Sequence, residues 1–456
     1  MGFLIGINSI AQEAGGNPFL MIWLIFRHGG WALFLLFLIF ALRELWLAYI
    51  RNLYRNKRKY TLLAIDVPKE NMQTPRGVEN IFQHLCGAHA TFDFIDKWWN
   101  GGIPDSFSFE IISLEGYIQF LIHMEVKYRD LIEAAIYAQY PDAEIVEVED
   151  YSQDWKMTFP HPEYDLWGTE IKLAKKQYYP IKTHPAFEDP ISEEKAKEPM
   201  AGLLEGLGKI GPGEQFWVQF LSTPADNDWG KGATPLIQKL IGAEIKEKDN
   251  IFDLIYKAPF ALIDFMSTSL SQASKEKEGA PPNKVLYMTQ GEKDTVNAIE
   301  KKISKLGFHV RIRLVYIAKK EVYDKNKGSK VLYGALKQFN TLDCNAFKPD
   351  TRYWTGALHF MATRRVNWRK TRMLRIYKER AQYMSPGDYG FILNTEEMAS
   401  VYHFPAMSVK APLIKRTESK KSEPPLSLPI EEGIPPSNFR QQTETKDIAP
   451  TNLPME

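Results

Sequence analysis

An α+β fold follows from three features of the sequence. Between residues 60 and 318, apolar residues recur with a period near 2 in some runs and near 3.6 in others. At the start of that region the runs alternate as strand, helix, strand, strand, helix, strand. A much more apolar stretch precedes the region, and a basic stretch and then a proline-rich polar one follow it. The expected order is a transmembrane helix, two βαββαβ-type modules, a basic helical segment and a disordered tail. The boundaries are 1–59 for the anchor, 60–155 and 156–318 for the modules, 319–410 for the helical segment and 411–456 for the tail. A helical insertion at 226–285 makes the second module the looser one.

The anchor rests on "WALFLLFLIFALRELWLAYI" (31–50), which carries only two charges, Arg43 and Glu44. Spanning a bilayer takes roughly 20 mostly apolar residues. Arg43 lies toward one end, where its stem can run out to the headgroups. Trp31, Trp46 and Tyr49 suit the two membrane interfaces. No Lys or Arg occurs in residues 1–26, whereas "RNLYRNKRK" (51–59) holds five. Positive charge stays inside, so the expected protein is single-pass in the cell membrane, with its N-terminus outside and its bulk cytoplasmic. The N-terminus lacks the basic start of a secretory signal.

The first module opens with "YTLLAIDV" (60–67), a strand-like run. In "TPRGVENIFQHL" (74–85), Thr74 caps a helix, Pro75 takes its first position, and Val78, Ile81, Phe82 and Leu85 share one face. "FSFEIIS" (107–113) and "GYIQFLIHM" (116–124) read as a hairpin broken at Leu114 and Glu115. "KYRDLIEAAIYAQY" (127–140) is a second helix and "AEIVEVED" (143–150) a last strand. That order is the ferredoxin-like split motif, two helices covering one face of an antiparallel sheet. The second module reads as strand 169–181, helix 199–210, strand 214–223, helix 292–308 ended by Gly307, and strand 309–318, with one strand missing. Its insertion contains "NIFDLIYKAPFALIDFMSTSL" (250–270), apolar nearly all round, which suits either a helix packed on the sheet or one at a membrane surface. The tail from about 411 has eight prolines and a single aromatic, Phe439, and cannot bury a core.

Composition excludes several function classes. Formal net charge is +1, so no global field draws in nucleic acid or acidic substrates. Two cysteines, Cys86 and Cys344, exclude a disulfide framework and a four-cysteine zinc site. "GLLEGLGKI" (202–210) has the wrong spacing for a phosphate-binding loop and puts Ile210 where a magnesium-binding hydroxyl belongs. His84, Cys86 and His89 lack a fourth ligand and end a helix with a core face, which favours a structural role. "EVEDYSQD" (147–154) lacks the glycine and spacing of a calcium loop. No G-x-S-x-G elbow occurs. The expectation is a protein without catalysis, metal or cofactor.

The strongest local signal is "TRRVNWRKTRMLRIYKER" (363–380), with eight cations against one acid, Glu379. On a helical wheel Val366, Met373, Leu374 and Tyr377 form the apolar half. Arg364, Arg365, Arg369, Arg372 and Arg375, with Trp368 among them, form a candidate binding face. Phosphates, anionic lipid or an acidic protein would all suit it, and a solvated charged face is the ordinary alternative. Near the C-terminal end, "FILNTEEMASVYHFP" (391–405) reads as a short helix capped by Asn394 and stopped by Pro405, with Glu396 and Glu397 favoured by the dipole in its first turn.

"LLAIDVPKENMQTPRGVENIFQHLCGAH", "YIQFLIHMEVKYRDLIEAAIYAQYPDAEIVEVEDY", "YDLWGTEIKL", "ALKQFNTLDCNAFKPD" and "FILNTEEMASVYHFP" together resemble a membrane-anchored family from small-genome candidate-phyla (Patescibacteria-type) bacteria. The resemblance covers most of residues 60–410. In many members such a region precedes a HerA/conjugative ATPase of the type IV secretion class, joined by a Pro-rich connector like "SEPPLSLP" (422–429). No catalytic residue carries over, because the family's chemistry lies in the ATPase. The resemblance implies a scaffold or adaptor at the cytoplasmic face, with the lipid bilayer and a separate ATPase as partners. The alternative expectation is a membrane-tethered nucleic-acid-binding protein acting through residues 363–380.

Overall fold

In the computed structural model the described residues are 15–27, 31–68, 73–89, 91–187, 198–242, 287–359, 361–382 and 388–405, with residues 13 and 71. They build one antiparallel sheet of nine strands, with helices on both faces. The proline-rich tail and the apolar stretch 250–270 lie outside the described residues.

The first half follows the sequence closely. Strand β1 (Tyr60–Asp66) leads to helix α3 (Pro75–Leu85), hairpin β2 (Phe107–Leu114) and β3 (Tyr117–Glu125), helix α4 (Arg129–Tyr137) and β4 (Glu144–Glu147). Their order in the sheet is β4-β1-β3-β2. The hairpin turns on Glu115 and Gly116, both at positive φ, one residue later than the sequence suggests. Two such residues give the turn whose twist matches the flanking strands. Helix α3 starts after Thr74 with Pro75 in its first turn and buries Val78, Ile81, Phe82 and Leu85.

The second half departs from expectation. Helix α5 (Ala201–Gly208), β6 (Glu214–Pro224) and β7 (Gly307–Lys319) are present, while strand β5 (Tyr164–Leu173) begins five residues ahead of the expected 169–181 and ends at Leu173. Helix α6 (Thr234–Ile241) and α7 (Gln290–Ile303) both belong to the connection between β6 and β7. The expected 292–308 helix is thus no second module helix. Gly307 does not cap it either, because it begins β7. The missing parts lie beyond residue 318. A run of helical turns (Lys325–Lys327, Gly328–Tyr333, Gly334–Leu336, Lys337–Phe339) leads to the short strand β8 (Phe347–Pro349). The order β6-β7-β5-β8 then mirrors the first half. The segment after 319 is therefore not purely helical.

The two halves join edge to edge. Strand β2 pairs antiparallel with β6 from Phe107 opposite Ser222 to Leu114 opposite Gln215. Each exposed edge satisfies the other's backbone donors and acceptors. Strand β7 outruns β5, whose pairing stops at Ile171 opposite Ile312. Strand β9 (Phe391–Asn394) fills that vacant edge against Gly307–Val310.

Alternate residues feed two cores. Leu63, Ile65, Phe109, Phe120, Val218 and Leu314 face helices α3, α4 and α5 and helix α9 (Thr395–Val401). Leu62, Ala64, Ile112, Trp217, Val315 and Ile317 face helix α8 (Ala362–Lys378). With both faces covered, the strands read as nearly continuous apolar runs. Residues 391–405 do not lead away from this core but complete it. Asn394 and Glu397 form a reciprocal capping box, and every residue of α9 is buried. Tyr402 packs on Phe82, Phe109, Phe120 and Phe220, with Phe404 alongside.

Before β1 come α1 (Pro18–Ile25) and α2 (Trp31–Asn56). Among the described residues no helix is long and apolar enough to cross a membrane. The expected span 31–50 lies within α2. Its large apolar side chains, including Leu36, Phe37, Ile39, Phe40, Leu42 and Leu45, stand exposed.

Candidate polyanion-binding face

Helix α8 lies across the second sheet face because one side of it is apolar. Met373, Leu374, Ile376 and Tyr377 are buried. The Met373 side chain packs where Gly168 of β5 leaves room, since a Cβ there would sit 2.8 Å from Met373 Cγ. Thr371 Oγ1 accepts the Phe159 amide at 2.9 Å, which ties the helix to the 150–160 loop.

The eight cations divide into two groups. Arg369 donates to the carbonyl oxygens of Gly356 and Trp354, so it is a structural residue and not part of an open face. Lys370 pairs with Asp165. Lys378 donates to the Trp155 carbonyl at 3.4 Å. Arg380 is buried and bridges Glu110 and Asp150, each at 2.8 Å. The remaining four, Arg364, Arg365, Arg372 and Arg375, have no carboxylate partner among the described residues, although the Arg365 guanidinium reaches the Leu358 carbonyl at 3.5 Å. Trp368 stands 59% exposed between them. The Arg372 guanidinium lies 5.3 Å from the Trp368 ring and 5.0 Å from that of Tyr353. Positions 364, 368, 372 and 375 fall on one side of the helix, spaced by three or four residues. From Arg364 to Arg375 the stripe rises about 16 Å at the α-helical pitch.

Such a stripe can bind a chain of phosphates and stack on a base. A guanidinium offers a rigid fork to phosphate oxygens, and an exposed indole offers a face for a nucleobase. Its rigidity comes from beneath, from a buried polar network on β2, β5, β6 and β7. Arg313 donates to Glu170 at 3.2 Å, to Gln219 at 3.1 Å and to the Ile376 carbonyl at 3.1 Å. Arg311 also pairs with Glu170 and reaches Asp388 at 2.6 Å. Gln219 passes the chain to Glu110 at 3.1 Å, where Arg380 and the Tyr151 hydroxyl (2.9 Å) converge. Buried charges are sustained only when paired in this way. Despite its burial, the Glu110 carboxyl is held below the usual range by Arg380. Nearby, His123 is pushed down to about 3 by burial and then by Arg380, so it stays neutral.

Sequence reading missed Arg311, Arg313, Glu110, Glu170 and Gln219. The one signal was a polar residue at every second position of otherwise apolar strands, as in "HVRIRLVYIA". That pattern ordinarily marks a solvated sheet face. Here α8 covers it.

The other expected site residues sit on α2. Trp31 is exposed near its start. Arg43 pairs with Glu44 and lies 5.8 Å from the Trp98 ring. Trp46 donates to the Trp98 carbonyl at 3.0 Å, and the Tyr49 ring lies 6.3 Å from it. Of the basic residues after the expected span, Arg58 has a buried side chain bound to Asp105 at 2.7 Å, which fixes the end of the helix to the body. Among the described residues no cluster of three His, Cys, Asp or Glu could hold a metal ion. Burial pushes the Cys86 thiol up to about 12, and His89 meets Asp226 at 2.8 Å.

Residues 53–417 match the family described as Domain of unknown function (DUF8128), and the chain belongs to that family. The matched region takes in the whole sheet, α8 and the end of α2. A search of curated proteins finds no match.

Proposed function

We propose that this member of the DUF8128 family is a non-catalytic, membrane-anchored scaffold or adaptor. In this reading α2 holds two fused ferredoxin-like modules at the cytoplasmic face of the cell membrane, with the N-terminus outside. The scaffold positions a separate ATPase of a type IV secretion or conjugation-like system. One observation carries the anchored part of the reading. A helix whose large apolar side chains from Leu35 to Leu45 stand exposed runs to Asn56 and, after a three-residue link, enters β1 of a nine-stranded sheet. In water that surface would cost roughly 25 cal/mol per Å² left exposed. The buried groups Glu110, Glu170, Arg311, Arg313 and Arg380 are paired with one another, which supports a non-catalytic role. The ATPase rests on the family resemblance of the sequence motifs.

A second reading is favoured by the Arg364–Arg375 stripe, namely that the scaffold binds nucleic acid directly. The two are compatible, since a translocation scaffold has a strand to hold. The test is capture of the full chain from detergent-solubilised native membranes. A stoichiometric ATPase with a phosphate-binding loop supports the adaptor reading. Recovery of the chain from the soluble fraction refutes the anchor. A membrane-derived preparation without any ATPase refutes the adaptor.

A further inference from the structure

We propose that residues 93–99 form a second membrane contact, an aromatic foot that lies in the lipid headgroup region beside α2. The inference rests on reading α2 as the anchor and adds where the folded body meets the bilayer. The segment "DFIDKWW" folds as a short turn ending in a π-type coil over Asp96–Asn100. Phe94, Ile95 and Trp99 are 74%, 64% and 73% exposed. Both acids of the turn are engaged within it. Asp93 Oδ1 accepts the Asp96 amide at 2.9 Å, and Asp96 Oδ1 accepts the Asn100 side-chain amide at 3.0 Å. Phe94, Ile95 and Trp99 therefore point outward, with Lys97 exposed among them as a partner for headgroup phosphates.

The foot is fixed to the helix at one level. Trp46 and Trp99 rings lie 6.0 Å apart, and Trp46 binds the Trp98 carbonyl. Gly101, at φ +71°, rests directly on the α2 backbone. A Cβ there would lie 2.5 Å from the carbonyl carbon of Ile50. The loop thus extends the apolar surface of α2 sideways at Trp46, just before the basic residues 51–59. Indole rings with an apolar body and a polar N–H favour the membrane–water interface. A helix alone leaves its body free to rock about the span. Two contacts at one depth fix the plane of the sheet relative to the bilayer.

The test places nitroxide labels on the full chain in phosphatidylcholine vesicles. Cys86 and Cys344 are first replaced by Ser. Single labels then go on Phe94→Cys, Ile95→Cys, Phe37→Cys in the anchor and Leu342→Cys, a fully exposed position on the body. Collision with oxygen and with a water-soluble nickel chelate reports depth. The expected result puts positions 94 and 95 about 5–10 Å into the headgroup and acyl boundary, with Phe37 deeper and Leu342 in water. Phe37 in lipid with both foot labels in water overturns the foot and leaves the anchor. Foot labels shielded from both reagents overturn it in favour of a protein cover. Phe37 in water overturns the anchor and the foot together. Should the cysteine variants not fold, quenching by brominated lipid provides a second reading. It must fall in Trp99→Phe, and unchanged quenching overturns the proposal.

Discussion

The Arg364–Arg375 stripe makes a quantitative prediction. Four guanidiniums, Arg364, Arg365, Arg372 and Arg375, are free to neutralise phosphates. Each phosphate neutralised on duplex DNA contributes about −0.9 to the slope of log affinity against log salt, so the expected slope is about −3.6. Between about 50 and 200 mM salt, affinity should therefore fall about 150-fold on duplex, and about 50-fold on single strands at about −0.7 per phosphate. The assay is anisotropy of labelled oligonucleotides titrated with the full chain in detergent. Replacing all four residues by Ala should flatten the slope to near zero. Arg369→Ala is the control. Its guanidinium is committed to the Gly356 and Trp354 carbonyls, so the slope should hold while stability drops by about 1–3 kcal/mol. Trp368→Ala should cost about 1–3 kcal/mol on single strands if a base stacks there. A wild-type slope shallower than about −1, or one that the fourfold variant leaves unchanged, refutes the assignment.

Three further predictions concern the core. Lys302 and Glu397 form a fully buried pair at 2.9 Å, so Lys302→Met should destabilise by about 3–5 kcal/mol in denaturant unfolding, as it strands the Glu397 charge. The Tyr402 hydroxyl is buried with no partner among the described residues, so Tyr402→Phe should hold or raise stability by about 1 kcal/mol, whereas Tyr402→Ala should cost about 3–5. His123 titrates near 3 when folded and near 6.5 when unfolded, so the unfolded chain binds the proton first as pH falls. Its contribution is therefore complete above about pH 6.5 and is lost toward pH 3, by at most about 1.4 kcal/mol per unit. Unfolding curves of His123→Gln should show a shallower loss across that window.

Local signals made much of this protein legible. Pro75 opens α3 directly after Thr74, whose side chain makes no capping hydrogen bond, and Asn394 caps α9 through its own side chain. Helices α3 and α4 are legible from the one side that must avoid water, and β1, β2 and β3 from their apolar, β-rich runs, so the first half could be read in order. The basic stripe was visible as composition, since the pattern 364, 368, 372, 375 is a property of helical pitch. What failed was non-local. The helical turns after Lys325 are interrupted by Gly328 and Gly334 and carry no clean period, so the mirror half seemed to end too soon. Strand β9 is four residues long and owes its place to the vacant edge of β7.

The sequence by itself determined the first half, the apolar helix ahead of it and the concentration of charge near residue 370. Only the tertiary structure decided which charges are free. Arg369 and Arg364 look alike in the sequence, yet one is held by backbone carbonyls and the other meets solvent. Arg311 and Arg313 read as a solvated sheet face and became a buried network. The reason is physical. Desolvation and pairing depend on what lies within a few ångströms in space: Arg369 meets a loop 13 and 15 residues back, whereas Arg311 and Arg313 meet Glu170, 141 and 143 residues away.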